Sequence, residues 1–237
     1  MLEAVIFDWG GTLTPWHDID IESLWLQYTA IYDSANSVAL AHELFEAENV
    51  RWAQQRESWG EAGTGSLDFV FDEVGIDTAS PLHEQALAAY LQAWEPHTLT
   101  RPECAEVFTG IKARGLKIGI LSNTTWPRTH HEHVFERDGV ADFIDGAVYT
   151  SETVTAKPHG DVFHAAMAAI GVTVPQHVVF VGDRPWDDIH GAQQVGMKAV
   201  LIPHSNIPAH QHVEVPGEPD GVIADLRELL PLIDQWR

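Results

Sequence analysis

The stretch AVIFDWGGTLTP, residues 4–15, decides the fold of this 237-residue chain. Its first four residues form an uninterrupted apolar run, which is typical of a parallel strand buried on both faces. One carboxylate, Asp8, follows the run directly, and Gly10 and Gly11 come next. Glycine allows a tight turn and lets an anion approach main-chain N–H groups closely. The stretch therefore predicts a buried strand with an aspartate at its carboxyl end, beside an anion-binding turn.

Strands and helices alternate along most of the chain. Apolar runs predict five strands, at residues 2–7, 116–123, 143–150, 177–183 and 198–203. Helical patterns lie between or after them, at 103–114, 128–137, 161–170, 187–195 and 225–236. Pro231 would bend or interrupt the last of these helices. The alternation predicts βαβ units, and hence an α/β fold with a doubly wound, Rossmann-like parallel sheet.

Polar side chains stand at the carboxyl ends of three predicted strands. They are Asp8, Ser122 and Asp183. In doubly wound sheets the active site lies beyond the carboxyl ends of the strands. We therefore expect these three side chains to border one site.

Residues 15–99 interrupt the alternation with helical patterns alone. Leu24, Tyr28 and Ile31 follow one helical period, and glycine-containing loops at 61–66 and 75–81 separate further helices. We therefore predict an α/β core of residues 1–14 and 100–237, with a small helical domain of residues 15–99 inserted after the first strand.

Composition excludes several classes of protein. The formal net charge of −22 argues against nucleic acid and membrane as partners, because such a surface repels their phosphates. No apolar stretch approaches the about 18 residues of a membrane span, and the N-terminus does not resemble a signal peptide. The single cysteine, Cys104, excludes an intramolecular disulfide and fits a reducing compartment. These features predict a cytoplasmic protein and leave its oligomeric state open.

Four short motifs follow one another in order, three of them at predicted strand ends. They are FDWGGTL at 7–13, ILSNT at 120–124, KP at 157–158 and VGDRPWDD at 181–188. Together they resemble the motifs of the haloacid dehalogenase superfamily, whose members are mostly Mg²⁺-dependent phosphatases. The resemblance spans nearly the whole predicted core. The helical insert resembles the family's small cap domain, which closes over the site and sets specificity.

The resemblance implies catalytic and metal-binding roles for the motif residues. Asp8 would be the nucleophile that forms an aspartyl-phosphate, and Ser122 and Lys157 would stabilise the transferring group. Mg²⁺ would be held by Asp8, Asp183 and the main-chain carbonyl of Gly10, because this ion prefers oxygen ligands and needs few carboxylates.

The resemblance also implies residues around this centre. Gly11, Thr12 and Asn123 would bind the substrate, a small phosphorylated metabolite. Asp187 and Asp188 both fit the family's variable spacing for a further acidic residue. One of them would order the surroundings of the metal or the motif lysine, and the other would cap the next helix, whose first turn favours acids.

Glycine at position 10 departs from the family's pattern. Most of its phosphatases have a second aspartate there, which protonates the leaving oxygen and then activates water. Such help is typically worth about 10²–10⁴ in rate. A phosphatase without it would be slow, select good leaving groups, or borrow a group such as His17 or a carboxylate of the insert.

Two other interpretations of Gly10 remain open. One is a non-catalytic homologue that binds a phosphate ligand. The other is a 2-haloacid dehalogenase, in which the leaving halide needs no proton, although the acidic DRPWDD motif counts against it. A phosphonate hydrolase is disfavoured, because its family members use a lysine of the insert and residues 15–100 contain none.

The insert and the tryptophans near the motifs bear on specificity. Arg51 and Arg56 are the only lysine or arginine residues of the acidic insert, so a polyanionic substrate is disfavoured unless one of them faces the pocket. Trp9, Trp126 and Trp186 each lie within four residues of a motif residue. They either line an apolar or ring-accepting entrance or pack the insert against the core.

Overall fold

The computed structural model describes residues 1–15, 18–203 and 216–237, and its centre is a six-stranded sheet. The strands are β1 (Ala4–Phe7), β2 (Lys117–Ser122), β3 (Gly146–Tyr149), β4 (Val178–Gly182), β5 (Lys198–Leu201) and β6 (Gly221–Val222). Their order is β3-β2-β1-β4-β5-β6, and all neighbouring pairs are parallel. The prediction of a parallel α/β sheet is confirmed.

The described residues form α-helices before, between and after these strands. They are α1 (Ile21–Tyr32), α2 (Ser37–Glu57), α3 (Leu67–Val74), α4 (Pro81–Trp94), α5 (Cys104–Ala113), α6 (Arg128–Arg137), α7 (Gly160–Ala169), α8 (Gly191–Gln194) and α9 (Leu229–Trp236). Helices α1 to α4 all lie between β1 and β2 in the sequence.

Helices cover both faces of the sheet, which explains why the strands are continuously apolar. In β1, Val5 and Phe7 belong to the buried cluster that includes α5, α6 and α9, whereas Ala4 and Ile6 belong to the cluster on the α7 side. All four side chains are fully buried. Because successive side chains point to opposite faces, burial of both faces requires apolar residues at every position.

Two segments differ from the helical predictions. The predicted helix at 187–195 is a π-helical segment, Pro185–His190, followed by the single turn of α8. The predicted helix at 225–236 begins as a 3₁₀ turn, Leu226–Glu228, and α9 starts at Leu229. Pro231 therefore lies in the first turn of α9, where backbone N–H groups have no partner within the helix.

The edge strand β6 was not predicted from the sequence. It has two residues and pairs with β5 through Gly221 and Val222. Main-chain bonds on either side complete the pairing, from Asp220 N to the Ala199 carbonyl at 2.8 Å and from Ile223 N to the Leu201 carbonyl at 2.9 Å. A strand of this length has no apolar run that a pattern search would detect.

Aromatic rings form the core of the helical insert. Trp25 of α1 stacks on Tyr90 of α4, with ring centroids 4.1 Å apart, and Tyr28 stacks on Phe71 of α3 at 5.3 Å. All four side chains are buried. Large rings contribute most of the apolar area available in a small helical layer, so this cluster stabilises the insert.

The segment after α2 ties the insert to the loops of the sheet. Gly63 N donates to the Val154 carbonyl at 2.7 Å, and Leu67 N donates to the Thr125 carbonyl at 2.9 Å. The Thr64 hydroxyl donates to the Thr124 carbonyl at 2.6 Å. Main-chain bonds of this kind are directional, so they hold the insert in one position over the carboxyl ends of the strands.

Helix length and composition also bear on membranes. Within residues 1–15, 18–203 and 216–237, none of the helices combines the length and the apolar character that crossing a bilayer would require.

Candidate active site

Asp8 follows β1, which lies between β2 and β4 in the interior of the sheet. Its main-chain N–H donates to the Val181 carbonyl at 2.9 Å, so the residue continues the ladder to β4. Its side chain is buried, and one carboxylate oxygen accepts a 3.1 Å hydrogen bond from the Thr12 hydroxyl. The carboxylate is therefore held in a fixed orientation beyond the strand end.

Lys157 forms a buried ion pair with two carboxylates. Its Nζ lies 2.7 Å from Asp8 Oδ1 and 2.6 Å from Asp188 Oδ1, and all three side chains are buried. Burial acts to lower the pKa of Lys157, but Asp188 and Asp8 outweigh it and hold the pKa above its ordinary value. A permanent positive charge therefore stands beside Asp8.

Hydrogen bonds to the backbone of Lys157 fix this charge in place. The Asn123 side-chain amide makes two of these bonds. Its oxygen accepts from the Lys157 N–H at 2.9 Å, and its nitrogen donates to the Lys157 carbonyl at 3.1 Å. Gln55 of α2 donates to the same carbonyl at 3.0 Å. Asn123, predicted to bind substrate, thus has a positioning contact with Lys157. Gln55 was not identified from the sequence, because no motif marks it.

Asp183 has a buried carboxyl group without a hydrogen-bond partner among the described residues. Its side chain is fully buried, and neither carboxylate oxygen accepts a hydrogen bond from the described residues. Arg184 approaches one oxygen at only 4.0 Å. Burial raises the pKa of Asp183 well above its ordinary value, and the Arg184 guanidinium opposes this shift. A buried carboxylate without partners is costly, so the site suits a bound cation.

The surroundings of Asp183 fit a divalent metal ion. Carboxylate oxygens of Asp8, Asp183 and Asp188 lie within 4.8 Å of one another. Asp188 already bonds Lys157 through one oxygen and accepts from Arg184 N at 2.9 Å through the other. Both Asp8 oxygens also accept hydrogen bonds, from Lys157 and Thr12, so among the three carboxylates only Asp183 has oxygens without a hydrogen-bond partner in the described residues. A carboxylate oxygen has more than one lone pair, so Asp8 can still ligate a cation beside Asp183. Carboxylate oxygens are the ligands that Mg²⁺ prefers.

The acidic pair of the fourth motif has two different environments. Asp188 is fully buried and bonds Lys157, whereas Asp187 is partly exposed and lines the cavity described below. Burial raises the pKa of Asp187, and the Arg184 guanidinium opposes this shift. The π-helical segment separates the two neighbouring side chains in this way. Asp188 is therefore the residue that orders the lysine.

A cavity of about 810 Å³ opens over this centre. Among the predicted site residues, seven line it: Asp8, Gly10, Gly11, Ser122, Asn123, Lys157 and Asp187. Thr12 is fully buried and bonds Asp8, and Asp183 and Asp188 lie behind the cavity wall. Most of the site residues predicted from the four motifs are thus brought together at one end of one cavity.

The two glycines of the first motif have different surroundings. Gly11 has a φ of +85°, and a Cβ there would lie 2.6 Å from Asp183 Oδ2. A Cβ at Gly10 would meet no atom of the described residues within 4 Å. The Gly11 N–H donates to the Thr14 hydroxyl oxygen at 3.3 Å. The required glycine is therefore Gly11, because it lets the chain pass Asp183, whereas position 10 has room for a side chain.

This difference gives a matched pair of variants. We expect Gly11→Ala to lower the free energy of unfolding by about 1–3 kcal/mol, because alanine at positive φ is strained and its Cβ overlaps Asp183. Gly10→Ala should change it by less than about 1 kcal/mol. Urea unfolding followed by tryptophan fluorescence measures both. Equal losses in the two variants would contradict the role of Gly11.

The two arginines of the insert have different functions in the structure. Arg51 donates to the carbonyls of Gly63 and Thr64 and anchors the segment after α2. Arg56 lines the cavity, where burial and the charge of Arg184 lower its pKa. Arg56 is thus the arginine that can meet a ligand. His17, considered above as a replacement acid or base, lies outside the described residues.

The three tryptophans near the motifs occupy two kinds of position. Trp9 and Trp126 line the cavity and pack edge to face, with ring centroids 5.5 Å apart. Trp186 instead packs against Trp59 of the insert at 4.7 Å and stacks on His190 at 4.4 Å. Two of the rings therefore border the ligand space, and the third joins the insert to the core.

The fold and the site together define an α/β enzyme whose reactive centre is built from carboxylates and a lysine at the carboxyl ends of parallel strands. The sequence pattern of the haloacid dehalogenase-like hydrolases matches residues 2–196. The chain belongs to this family.

Comparison with individual proteins gives relatives of two kinds. Glyceraldehyde 3-phosphate phosphatase of Methanopyrus kandleri is 26% identical over 234 residues, which is 98% of this chain and 97% of the relative. A phosphatase structure from Thermococcus onnurineus superposes with a TM-score of 0.67 at 20% identity, covering 98% of both chains. A 2-haloacid dehalogenase structure from Pseudomonas syringae superposes with a TM-score of 0.71 at 23% identity, covering both chains fully. The structural likenesses establish the fold.

Proposed function

We propose that the protein is a Mg²⁺-dependent phosphatase that acts through an aspartyl-phosphate on Asp8. The observation that carries the proposal is the buried carboxylate of Asp183, which accepts no hydrogen bond from the described residues and lies close to the carboxylate of Asp8, the partner of Lys157. A dehalogenation site needs no cation at this position, whereas phosphoryl transfer profits from one. The name of the Methanopyrus relative supports the same reaction class.

Each residue at the reactive end has a role that follows from its contacts. Asp8 attacks phosphorus, and the Thr12 hydroxyl orients its carboxylate. Lys157 neutralises Asp8 and the incoming phosphoryl group, and Asp188 keeps the lysine charged and in place. The Ser122 hydroxyl, which lines the cavity, donates to a phosphoryl oxygen. Preorganised charges of this kind stabilise the transition state without reorganisation.

The metal would be held by Asp8, Asp183 and the main-chain carbonyl of Gly10. When bound, Mg²⁺ supplies positive charge that stabilises the phosphoryl oxygens in the transition state. Gly11 permits this arrangement, because any larger residue there would displace Asp183.

We further propose that residues 15–99 act as the cap over this site, on a core of residues 1–14 and 100–237. Gln55, Arg56 and Trp52 of α2 line the cavity, which supports a role of the insert in substrate selection. We expect the substrate to be a small phosphorylated metabolite and the enzyme to be cytoplasmic.

The proposal is tested with acetyl phosphate, whose leaving group needs no proton from the enzyme. We expect phosphate release with Mg²⁺, and a loss of at least about 100-fold when EDTA replaces the metal. Chloride release from 2-chloropropionate without metal would instead support a dehalogenase. Absence of both activities, together with thermal stabilisation by phosphate, would support a non-catalytic binding protein.

The empty space at position 10 gives a gain-of-function prediction. We expect Gly10→Asp to raise kcat for glycerol 3-phosphate by about 10²-fold, because a carboxyl there can protonate the alkoxide and then activate water. Acetyl phosphate hydrolysis should gain less, since only its second step needs that group. Steady-state kinetics with both substrates measure the difference, and Gly10→Asn is the uncharged control. Equal rates of Gly10→Asp and Gly10→Asn would contradict the prediction.

A further inference from the structure

The cavity extends from the reactive centre into a region bordered by indole rings. Among the described residues, four tryptophans line it, which are Trp9, Trp52, Trp94 and Trp126. Two come from the insert and two from the loops of the sheet, so both parts of the molecule contribute to this wall.

Three of these rings form one continuous wall. Trp126 packs edge to face against Trp9 at 5.5 Å and against Trp94 at 4.8 Å, measured between ring centroids. His131 supports Trp9 at 4.7 Å, and His130 supports Trp126 at 4.8 Å. Rings fixed by such contacts offer rigid apolar surface at little entropic cost to a ligand.

The rings are supported by uncharged groups. Burial lowers the pKa of His130 to about 4 and that of His131 to about 3. Both imidazoles are therefore neutral near pH 7, and this side of the cavity has no positive charge from them.

The lysine and arginine side chains that line the described cavity are Arg56, Lys157 and Arg184. Lys157 contacts Asp8, and Arg184 lies beside Asp183. Arg56 is close enough to Arg184 and Asp187 for their charges to shift its pKa. These cations can neutralise one phosphoryl group, and the described rings Trp9, Trp94 and Trp126 carry no charge that would bind a second.

We infer that the substrate is a phosphate monoester of an aromatic alcohol, whose ring packs against the tryptophan wall while its phosphoryl group lies at Asp8. This inference rests on the proposed phosphatase function and names its substrate class. An aromatic ring buries its apolar faces against the indole rings, which a short polyhydroxylated chain cannot do to the same extent.

An aromatic alcohol is also a suitable leaving group for a site that has glycine at position 10. In the first step a carboxylate oxygen of Asp8 forms a bond to phosphorus, and the ester P–O bond breaks with its electron pair going to the phenolate. A phenol has a pKa of about 10, as in tyrosine, so the phenolate leaves without a proton from the enzyme and takes one from water. Water then attacks phosphorus and releases inorganic phosphate and free Asp8.

Two non-hydrolysable inhibitors test the binding of the ring independently of the leaving group, because the P–C bond of a phosphonate is not cleaved. Phenylphosphonate and methylphosphonate are compared as competitive inhibitors of acetyl phosphate hydrolysis in the presence of Mg²⁺. We expect phenylphosphonate to inhibit with a Ki at least about 10-fold lower, because each favourable ring contact contributes roughly 2- to 10-fold in affinity.

The Trp94→Ala variant should reduce this ratio of inhibition constants by about 3- to 10-fold. Trp94 belongs to the wall through its contact with Trp126 and is partly exposed at the end of α4, and near-ultraviolet circular dichroism checks that the fold persists. Trp236→Ala is the matched control, because Trp236 lies on α9 beside Lys198 and should keep the ratio of the native protein.

The outcomes separate the two proposals. Hydrolysis of acetyl phosphate with equal inhibition by both phosphonates would overturn the aromatic substrate and leave the phosphatase standing. Absence of hydrolysis would overturn the phosphatase; thermal shifts with the two phosphonates would then report ring binding on their own. Loss of the ratio in Trp236→Ala, or its persistence in Trp94→Ala, would also overturn the inference.

Discussion

The Asp8→Asn variant will lose phosphatase activity, with kcat for acetyl phosphate lower by at least about 10⁴-fold. Asparagine has nearly the same size and can still accept the hydrogen bond from Thr12, so the fold should persist. Its amide is a poor nucleophile, and it removes one of the two negative charges beside Lys157. Phosphate release in single-turnover and steady-state assays measures the loss.

Two controls accompany this variant. Asp142→Asn makes the same chemical change at an exposed position and should keep the native rate. Near-ultraviolet circular dichroism should be unchanged in Asp8→Asn, because Trp9 directly follows the substituted residue and reports on local packing. A residual rate above about one per cent of the native value would mean that a group other than Asp8 attacks phosphorus.

The largest effect on stability is expected for Lys157→Met. Methionine fills a similar volume but leaves the carboxylates of Asp8 and Asp188 buried without their cation. Breaking a buried pair on one side costs about 3–5 kcal/mol, because the remaining charge has lost both water and partner. Urea unfolding in EDTA, followed by circular dichroism, measures the change without compensation by metal.

A second substitution tests the cause of this loss. Adding Asp188→Asn to Lys157→Met removes one unpaired charge and should recover at least about 1 kcal/mol. Lys112→Met breaks the half-exposed pair with Asp145 and should cost at most about 1 kcal/mol, since such pairs remain hydrated. Similar losses for Lys157→Met and Lys112→Met would show that the buried ion pair does not stabilise the fold.

The strands could be predicted because burial on both faces leaves a simple pattern in the sequence. β1 and β4 are apolar at every position, and the residue after each is an aspartate that points into the site. β6 could not be predicted, because its two residues are set by pairing with β5 and carry no pattern of their own. Long-range pairing decides such short edge elements.

The site shows a similar division. Asp8, Ser122 and Asp183 were expected together because the ends of parallel strands meet at one edge of a sheet. The contacts around these three residues could not be predicted from the sequence. Asp187 and Asp188 are adjacent in sequence, and only the path of the π-helical segment decides which of them reaches Lys157. Arg184 directly follows Asp183, so its place in the motif was the one available signal of its contact.

Gln55 shows the limit of local sequence information. It lies 102 residues before Lys157, yet its amide reaches that residue's carbonyl from helix α2. Nothing near Gln55 in the sequence marks it, since buried glutamine on a helix has no characteristic pattern. Contacts of this kind depend on the docking of the insert, which many weak interactions decide together.

The hydrogen bond from Gln55 to the Lys157 carbonyl connects the position of helix α2 with the position of the Lys157 charge. Gln55 belongs to the insert, whereas the carbonyl it binds belongs to the residue whose ammonium balances Asp8. If α2 moves away from the sheet to admit a ligand, this hydrogen bond breaks and the backbone of Lys157 loses one of its contacts. In such an open form Asp8 would be more exposed to water, and Lys157 would neutralise its charge less completely. Ligand entry and the neutralisation of Asp8 by Lys157 would therefore depend on the same hydrogen bond.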